Sequence, residues 1–306
     1  MWPTWRTITD FAKQKQWPLR LADRLGRGHG RLRVLDHLAA RSLPAAESKP
    51  DLTAWHDHAL AAAWIGHATV LLRLGGLTIL TDPVFSLRVG LGFGLMTAGP
   101  QRLQRPALAI DELPPVDVIL LSHAHFDHLD RPSLARLPKQ CDVVTFRGVG
   151  DLAHDLHFRS VTELKWGESH RIGDLLVTGL PVQHWGARTF YDTHRGYGAF
   201  LLEAAGRRVL YGADTAYQEQ WRGLPPVDLA ILGIGAYDPY IAAHATPEQA
   251  LAMADHVRAE RVLPVHHSTF RLSHEPVGEP IRRMLSAVKD GDRIVVRRPG
   301  EWWQSA

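Results

Sequence analysis

The sequence predicts an α/β fold in which sheets are covered by helices. Short apolar runs that are typical of strands recur from residue 61 onward, and the run at 116–122 is almost wholly apolar, as expected of a strand buried on both faces. A helix is predicted at about 247–259, because Thr246 and Gln249 can form a capping box at its start. Strands mixed with helices favour a layered arrangement of sheets and helices.

The strand predictions rest on apolar runs that are bounded by turn residues. Strands are expected at 63–74 and 77–81, joined by the two-residue hairpin signal Gly75-Gly76. Further strands are predicted at 175–180, at 199–202 and 208–211 (joined around Ala205-Gly206), at 261–265, and as a last pair at 293–296 and 301–304.

The second half of the chain partly echoes the first. The string Leu-Pro-Pro-Val-Asp stands at 113–117 and again at 224–228, and both copies lead into a strand with a buried pattern. Each copy follows a predicted hairpin that ends near an aspartate, Asp82 in the first half and Asp214 in the second. The shared order of hairpin, aspartate, string and strand is consistent with a duplication.

Residues 1–60 differ in composition from the rest of the chain. They are rich in Arg, Lys and Trp, and we expect helices and irregular chain there. We interpret them as a cover packed on the main domain, which spans 61–306. The alternative is a surface that touches anionic membrane, because basic residues with Trp suit a membrane interface.

Bulk composition limits the classes of function. At 306 residues the chain can bury a sizeable core, and a formal net charge of +3 does not indicate a nucleic-acid partner. The single cysteine, Cys141, excludes an intrachain disulfide and a Cys-type zinc site. Neither a signal peptide nor an apolar stretch of about 20 residues is recognised. We therefore expect a cytoplasmic protein that can be peripheral to the inner membrane, and the oligomeric state is left open.

Histidine is the most informative residue type, because it is a common metal ligand and the chain has 18. Four residues of ligand type, His123, His125, Asp127 and His128, lie within six positions at the end of a predicted buried strand. Polar groups so dense would be costly to bury without a metal ion. A turn here would let the first two face one ion and the last two another. Imidazole and carboxylate ligands suit zinc, and also iron or manganese.

The motif His-x-His-x-Asp-His resembles the signature of the metallo-β-lactamase superfamily. Further strings resemble the branch that contains N-acyl-phosphatidylethanolamine-hydrolysing phospholipase D and its bacterial relatives. They are Trp-Ile-Gly-His-Ala-Thr at 64–69, Leu-Thr-Asp-Pro-Val-Phe at 80–85, Gly-Pro at 99–100, Gln-His-Trp at 183–185, Ala-Asp-Thr at 213–215, Ile-Gly-Ala-Tyr-Asp-Pro at 234–239 and Thr-Phe at 269–270. The resemblance implies a four-layer αβ/βα sandwich, with two mixed sheets flanked by helices.

The resemblance also implies ligands for two divalent metal ions, with zinc favoured and iron or manganese as alternatives. The first ion would be bound by His123, His125 and His184, the second by Asp127, His128 and His266, and Asp214 would bridge the two.

One position departs from the family pattern. Where the family has one histidine followed by Trp-Gly-Thr-Phe, this chain has His266-His267-Ser268-Thr269-Phe270. Alignment on Thr-Phe makes His266 the ligand and places His267 where the Trp is usual, so the departure concerns the wall of the pocket.

Several neighbouring residues are candidates for other roles at the site. His67 and Asp82 are expected to orient the ligands, or else to be a buried polar histidine and a strand-end aspartate. His244 is expected to contact substrate, in a loop after the segment of Tyr237, which is a further candidate for either role. Arg188 could hold a phosphate, with a solvated surface arginine as the alternative.

The Gly-rich loop at 86–106 is a candidate for selectivity. Its apolar residues Leu91, Phe93, Leu95 and Met96 could line an apolar substrate channel. The alternative is a loop that folds onto the core.

We therefore expect a dinuclear metal-dependent hydrolase in which the two ions share a hydroxide, with Asp127, Asp214 and His244 as catalytic residues. The branch resemblance favours phosphodiester hydrolysis of an N-acyl-phosphatidylethanolamine-like lipid, of the phospholipase D type. The alternatives are a lactonase, or a small-ester or sugar-phosphate hydrolase of the same fold. The third hypothesis is a protein that binds metal without catalysis, and the full ligand set argues against it.

Overall fold

A computed structural model describes residues 43–53, 55, 59–93, 96–189 and 191–305. Within them the strands are β1 (Leu60–Gly66), β2 (Thr69–Leu74), β3 (Leu77–Thr81), β4 (Leu91–Phe93), β5 (Met96–Ala98), β6 (Val118–Leu120), β7 (Asp142–Phe146), β8 (Ser160–Leu164), β9 (Ser169–Ile172), β10 (Leu175–Leu180), β11 (Ala199–Ala204), β12 (Arg207–Tyr211), β13 (Leu229–Gly233), β14 (Arg261–Val265) and β15 (Trp302–Gln304). The α-helices are α1 (Arg131–Arg136), α2 (Asp151–His154), α3 (Pro247–His256) and α4 (Glu279–Ala287).

Two mixed sheets form the centre of the structure. The first has the strand order β15-β1-β2-β3-β6-β7-β8, and the second has the order β14-β13-β12-β11-β10-β9. In the first sheet, β1 to β3 are antiparallel neighbours, and β3, β6, β7 and β8 run parallel. In the second, β9 to β12 are antiparallel neighbours, and β12, β13 and β14 run parallel.

The sheets pack face to face, with helices on both outer faces. Along β2, Val70 and Leu72 belong to the core between the sheets, whereas Leu71 belongs to the core on the outer face, as the two-residue period of a strand requires. That outer core includes Leu134 of α1, and the outer core of the second sheet includes Met284 of α4. The predicted four-layer αβ/βα sandwich is therefore confirmed.

The predicted strand at 63–74 is two strands in the structure, so this prediction was wrong. β1 ends at Gly66 and β2 begins at Thr69, and between them His67 has a φ of 54°. Gly66 has a φ of 134°, and a Cβ there would lie 2.8 Å from Nη2 of Arg102. The turn requires glycine at position 66. The apolar residues on both sides of the turn make the sequence resemble one continuous strand.

The predicted strand at 301–304 is β15, but the predicted strand at 293–296 and its pairing with β15 are wrong. Gly291–Arg293 form a 3₁₀ turn, Ile294 makes an isolated bridge to Val262, and β15 pairs with β1 instead. Ile294 and Val296 are buried in two different cores, so the apolar run here reflects burial and not the formation of a strand.

Most other elements agree with the sequence. The strands at 175–180 and 261–265 are β10 and β14, and α3 begins with the predicted capping box, in which the Thr246 hydroxyl accepts a hydrogen bond from the Gln249 N–H (3.3 Å). None of the described helices has the length and apolar character needed to cross a bilayer. Residues 1–42 lie outside the described residues, so the cover over 1–60 stays a prediction.

The two halves of the chain match in their hydrogen bonding. Asp117 accepts a bond from the Thr78 N–H in β3 (2.8 Å), and Asp228 accepts one from the Arg208 N–H in β12 (2.7 Å). Each aspartate ends its Leu-Pro-Pro-Val-Asp string and precedes a strand that runs parallel to that hairpin strand. Both copies of the string therefore bind the hairpin strand through their aspartate and lead into a strand parallel to it.

Candidate metal centre

The predicted ligands meet at one edge of the two sheets. The His-x-His-x-Asp-His motif follows β6, His184 follows β10, Asp214 follows β12 and His266 follows β14. Ligands of α/β sheets bind at the carboxyl ends of parallel strands, and β6, β12 and β14 are such strands. β10 is antiparallel to its neighbours but runs in the same direction as β12, so His184 lies at the same edge. The structure brings all seven predicted ligands together.

One cluster consists of His123, His125 and His184. The Nε2 atoms of His123 and His184 lie 2.8 and 3.3 Å from Nδ1 of His125. The candidate ligand atoms of the three residues lie within 4.8 Å of one another, so they can face one centre. This is the set predicted for the first ion.

A second cluster contains Asp127, His128 and His266, with His67 beside them. Oδ2 of Asp127 lies 3.4 Å from Nε2 of His266 and 3.7 Å from Nε2 of His128. The same oxygen is 2.9 Å from Nε2 of His67, which is a hydrogen-bond distance. His67 therefore lies where it can orient the Asp127 carboxylate.

Asp214 lies between the two clusters. Its Oδ2 atom is 3.1 and 3.2 Å from the Nε2 atoms of His128 and His266, on the side of the second cluster. It is 3.9 and 3.8 Å from the Nε2 atoms of His123 and His184, on the side of the first. This is the position that a bridging carboxylate requires.

Asp82 is a wholly buried carboxylate behind the motif. It accepts hydrogen bonds from the Ser122 N–H (2.7 Å), the Ser122 hydroxyl, Nδ1 of His128 (2.7 Å) and the Tyr211 hydroxyl (2.6 Å). Because a carboxylate accepts this bond, His128 carries a hydrogen on Nδ1, and its Nε2 atom is the one that faces the cluster. The predicted orienting role of Asp82 thus has a geometric basis.

Hydrogen bonds also determine which ring nitrogen carries the hydrogen in two more histidines. The Ser122 hydroxyl donates to Asp82, so its oxygen accepts from Nδ1 of His123 at 2.8 Å. Nδ1 of His184 donates to the Ala243 carbonyl at 3.1 Å. Both histidines therefore direct the lone pair of Nε2 into the cluster.

Burial and neighbouring charges determine the protonation of the cluster. Burial lowers the pKa of His123 and His184 well below the usual value of histidine, so both rings are neutral at pH 7. Burial opposes ionisation of Asp214, but the positive charges of His128 and His266 hold its pKa well below its usual range. His123 and His184 are thus neutral donors beside an ionised carboxylate, and a divalent cation would take the place of the protons on His128 and His266.

Buried atoms without hydrogen bonds provide the test of fit for a metal ion. Among the described residues, Oδ1 of Asp214 and the Nε2 atoms of His128 and His266 are buried and make no hydrogen bond. Such atoms are costly in a protein interior, and a cation at the shared centre would satisfy all three. The donor set therefore fits a divalent metal ion.

His244 borders the clusters from a separate loop. Its Nδ1 atom lies 3.8 Å from Oδ2 of Asp214, and its backbone N–H donates to the Tyr240 carbonyl. Burial lowers its pKa to about 4, so the ring is neutral at pH 7. The site opens to solvent beside Asp127, whose side chain is 17% exposed against 3% for Asp214.

Arg188 has different partners from the predicted phosphate. It is buried, and its Nη1 donates to the carbonyls of Ala124 (2.8 Å) and Leu129 (2.7 Å), while its guanidinium covers the Phe126 ring. It ties together the two ends of the motif loop, so the structure gives it a positioning role instead.

Tyr237 and His267 also lie outside the clusters. The Tyr237 hydroxyl bonds to Oε1 of Glu279 in α4 (2.8 Å), away from the predicted orienting or substrate contact. The His267 ring packs against Trp64, with centroids 4.6 Å apart. Of the two adjacent histidines, only His266 faces the clusters, which agrees with the expected register.

The loop at 86–106 contains the short hairpin β4–β5. Leu91 is half-buried, Leu95 lies outside the described residues, and so do the side chains of Phe93 and Met96. The apolar channel therefore stays a prediction.

Three residues around the site were not singled out from the sequence as site residues. Ser122 immediately precedes the motif, so its position was a usable signal. Trp185 packs against the rings of His125 and His184, with centroids 4.8 and 4.5 Å apart. Tyr211 reaches Asp82 from the opposite sheet, and no local pattern indicates such a contact.

Comparison with known families agrees with this geometry. The family model for the β-lactamase superfamily domain matches residues 78–267, which include the whole motif and His266. The chain belongs to the metallo-β-lactamase superfamily. It is accordingly a metal-dependent hydrolase that binds divalent metal.

Relatives within the superfamily cover most of the chain. An uncharacterised protein of Mycobacterium tuberculosis is 32% identical over 289 residues, which are 88% of this chain and 75% of the relative. An N-acyl-phosphatidylethanolamine-hydrolysing phospholipase D of Caenorhabditis elegans is 29% identical over 82% of this chain and 77% of its own. A metal-dependent hydrolase of Thermus thermophilus is 30% identical over 68% of this chain and 83% of its own.

A solved structure supports the superfamily fold. The metallo hydrolase of Ignicoccus hospitalis superposes with a TM-score of 0.59 at 19% identity, over 81% of this chain and 98% of its own. This similarity concerns the fold alone.

Proposed function

We propose that the protein is a dinuclear metallohydrolase that cleaves the phosphodiester of an N-acyl-phosphatidylethanolamine-like lipid, as a phospholipase D does. The observation that carries the dinuclear site is the position of Asp214 between two sets of ligand atoms, with Oδ2 within 3.9 Å of four Nε2 atoms. His123, His125 and His184 would hold one ion, and Asp127, His128 and His266 the other.

Two divalent ions bound here would activate water and stabilise the negative charge that develops on the phosphoryl oxygens. The protein's own residues hold this site in place. Asp82 and Ser122 fix the tautomers of His128 and His123, and His67 holds the Asp127 carboxylate. Rings that are already oriented need no rearrangement when substrate arrives, which favours catalysis.

His244 is the proposed residue for contact with the reacting group. It lies at the border of the site, next to Asp214. Neither proposed ligand set includes it, although with His184 and Asp214 it forms a further group of possible ligand atoms. A neutral imidazole here can donate a hydrogen bond to a phosphoryl oxygen or transfer a proton to the leaving group. No protein nucleophile is required.

The lipid substrate is proposed from the relatives. The Caenorhabditis elegans relative is named for this activity and matches most of both chains, and a mitochondrial relative of the same name in Saccharomyces cerevisiae is 31% identical, although this chain covers only 50% of it. The resident ions are proposed to be zinc, with iron or manganese as alternatives.

The experiment is a hydrolysis screen of purified, metal-reconstituted protein with N-acyl-phosphatidylethanolamine, a lactone, a small ester and a generic phosphodiester. We expect the lipid to be cleaved to a phosphate monoester and an N-acylethanolamine, and the Asp214→Ala variant to be inactive but folded. If a water-soluble lactone or ester is preferred by orders of magnitude, the lipid proposal is wrong and the small-ester alternative takes its place.

A further inference from the structure

A groove separate from the metal centre lies at the ends of β7 and β8. It encloses about 650 Å³, and its lining residues are Phe146, Arg147, Gly148, Glu163, Leu164, Lys165, Trp166, His194, Gly196 and Tyr197. We call it the aromatic groove. Its volume is in the range of small-molecule sites, and it opens at the same edge of the first sheet as the motif after β6.

The walls of the aromatic groove are fixed aromatic rings. Trp166 is 46% exposed, yet its Nε1 donates to the Tyr197 carbonyl at 2.6 Å, and the two rings meet edge to face at 5.5 Å. Phe146 and Leu164 are buried beneath them. An exposed indole held in one orientation is unusual for a solvated surface and typical of a binding wall.

The loop that carries His184 lies between the groove and the metal centre. Tyr197 packs so closely on Gly186 that a Cβ at Gly186 would lie 3.0 Å from the Tyr197 ring. The residue before Gly186 is Trp185, which packs on His184 and His125. One wall of the groove is therefore in contact with the loop that holds a ligand of the first cluster.

Charges of both signs border the groove. Lys165 is paired with Glu168 at 3.0 Å, the charge of Arg147 also acts on Glu168, and the Glu163 carboxylate accepts a bond from the Gly150 N–H at 2.7 Å. Because these charges balance, it is the aromatic walls that suit the groove to the apolar part of a ligand.

We propose that the aromatic groove binds the apolar arm of an anionic amphiphile whose reacting group lies at the metal centre. This inference rests on the proposed function, because the acyl chain of an anionic phospholipid is such an arm. β8 lies two strand spacings from β6, about 10 Å, so a chain of eight or more carbons reaches the groove from the motif. Burial of each methylene would tighten binding by up to roughly fourfold, from about 0.8 kcal/mol per group.

Binding of butyl and octyl phosphate to the metal-reconstituted protein, measured by calorimetry below the micelle concentration, tests the groove without turnover. Octyl phosphate should bind at least roughly tenfold more tightly than butyl phosphate, and octyltrimethylammonium should bind weakly. Trp166→Ala and Tyr197→Ala should remove most of the preference for the longer chain, while Trp166→Phe should retain it. Leu285→Ala, a change at an exposed apolar residue of α4, is the control and should bind like the wild type.

The outcomes separate the two proposals. If the wild type has no preference for chain length, or if both alanine variants keep it while folded by circular dichroism, the groove is not the binding site. If the preference behaves as expected but no phosphodiester is hydrolysed in the screen, the groove proposal stands and the proposed function is wrong.

Discussion

At the metal centre, the orientations of His123, His128 and His184 depend on partners that are not ligands. The clearest case is Asp82, a single buried carboxylate that serves Ser122, His128 and Tyr211 at once. Its backbone, like that of His67 and His266, has a positive φ, at 32°, 54° and 61°. Non-glycine residues adopt this conformation at a cost, and they cluster where function requires a fixed geometry.

Removing the Tyr211 hydroxyl tests this network. Tyr211→Phe should lower the free energy of unfolding by about 1.5–3 kcal/mol, because a buried carboxylate loses a charge-assisted hydrogen bond. Tyr217→Phe, which removes an exposed hydroxyl 3.1 Å from Glu219, should change it by less than about 0.5 kcal/mol. Chemical denaturation at pH 7 measures both, and equal effects would show that Asp82 does not depend on Tyr211.

The adjacent histidines allow a matched test of the ligand register. His266→Ala should lose metal from the second cluster, because its Nε2 faces both Asp127 and Asp214. His267→Trp should retain full metal, because His267 packs on Trp64 and faces neither carboxylate. Elemental analysis after reconstitution and gel filtration measures metal per chain, and the reverse pattern would place the register one residue off.

At the scale of elements, the predictions succeeded where a glycine or a polar residue ends an apolar run. β10 and β14 are bounded in this way, and their limits agree with the sequence. The turn at His67 lies within an apolar run, and the apolar residues Ile294 and Val296 are buried in two different cores without forming a strand, so local patterns misplace both. Periodicity records which side chains are buried, but it does not record which neighbour buries them.

Substitutions in the two hairpin turns are expected to change the free energy of unfolding in opposite directions. Gly75-Gly76 and Ala205-Gly206 both have positive φ at their two central positions, which type I′ turns require. Ala205→Gly should raise the free energy of unfolding by about 0.5–1 kcal/mol, since alanine is strained at a φ of 50°. Gly75→Ala should lower it, because its Cβ would lie 2.5 Å from Cβ of Ala204. Denaturation curves that move in the same direction for both variants would contradict this account.

At the scale of the whole molecule, the metal centre joins two sheets. The motif follows a strand of the first sheet, whereas His184, Asp214 and His266 follow strands of the second. The local, dense motif predicted four of the ligands from the residues themselves, and the family resemblance supplied His184, Asp214 and His266. The contact of Tyr211 with Asp82 could not be predicted, because it depends on how the two sheets pack.

A site shared by both sheets should couple metal binding to folding. At an ion concentration of about 1,000 times Kd, binding stabilises the native state by about 4 kcal/mol, which corresponds to roughly 10 °C in Tm for a domain of this size. Chelation should lower the Tm by that amount, and re-addition of zinc should restore it. Asp214→Ala should respond little to chelator in the same thermal scan; a full response would show that the ions do not need Asp214.

The pairing of β1 with β15 has a consequence for how the chain is made. Ala61 and Gln304 are opposite each other in the sheet although almost the whole domain separates them in sequence. Until β15 has been synthesised, β1 has no neighbour on that side, and its residues Leu60–Gly66 are all of the buried type. An uncovered apolar edge can pair with another nascent chain. Synthesis of β15 allows this edge to be covered within the same chain.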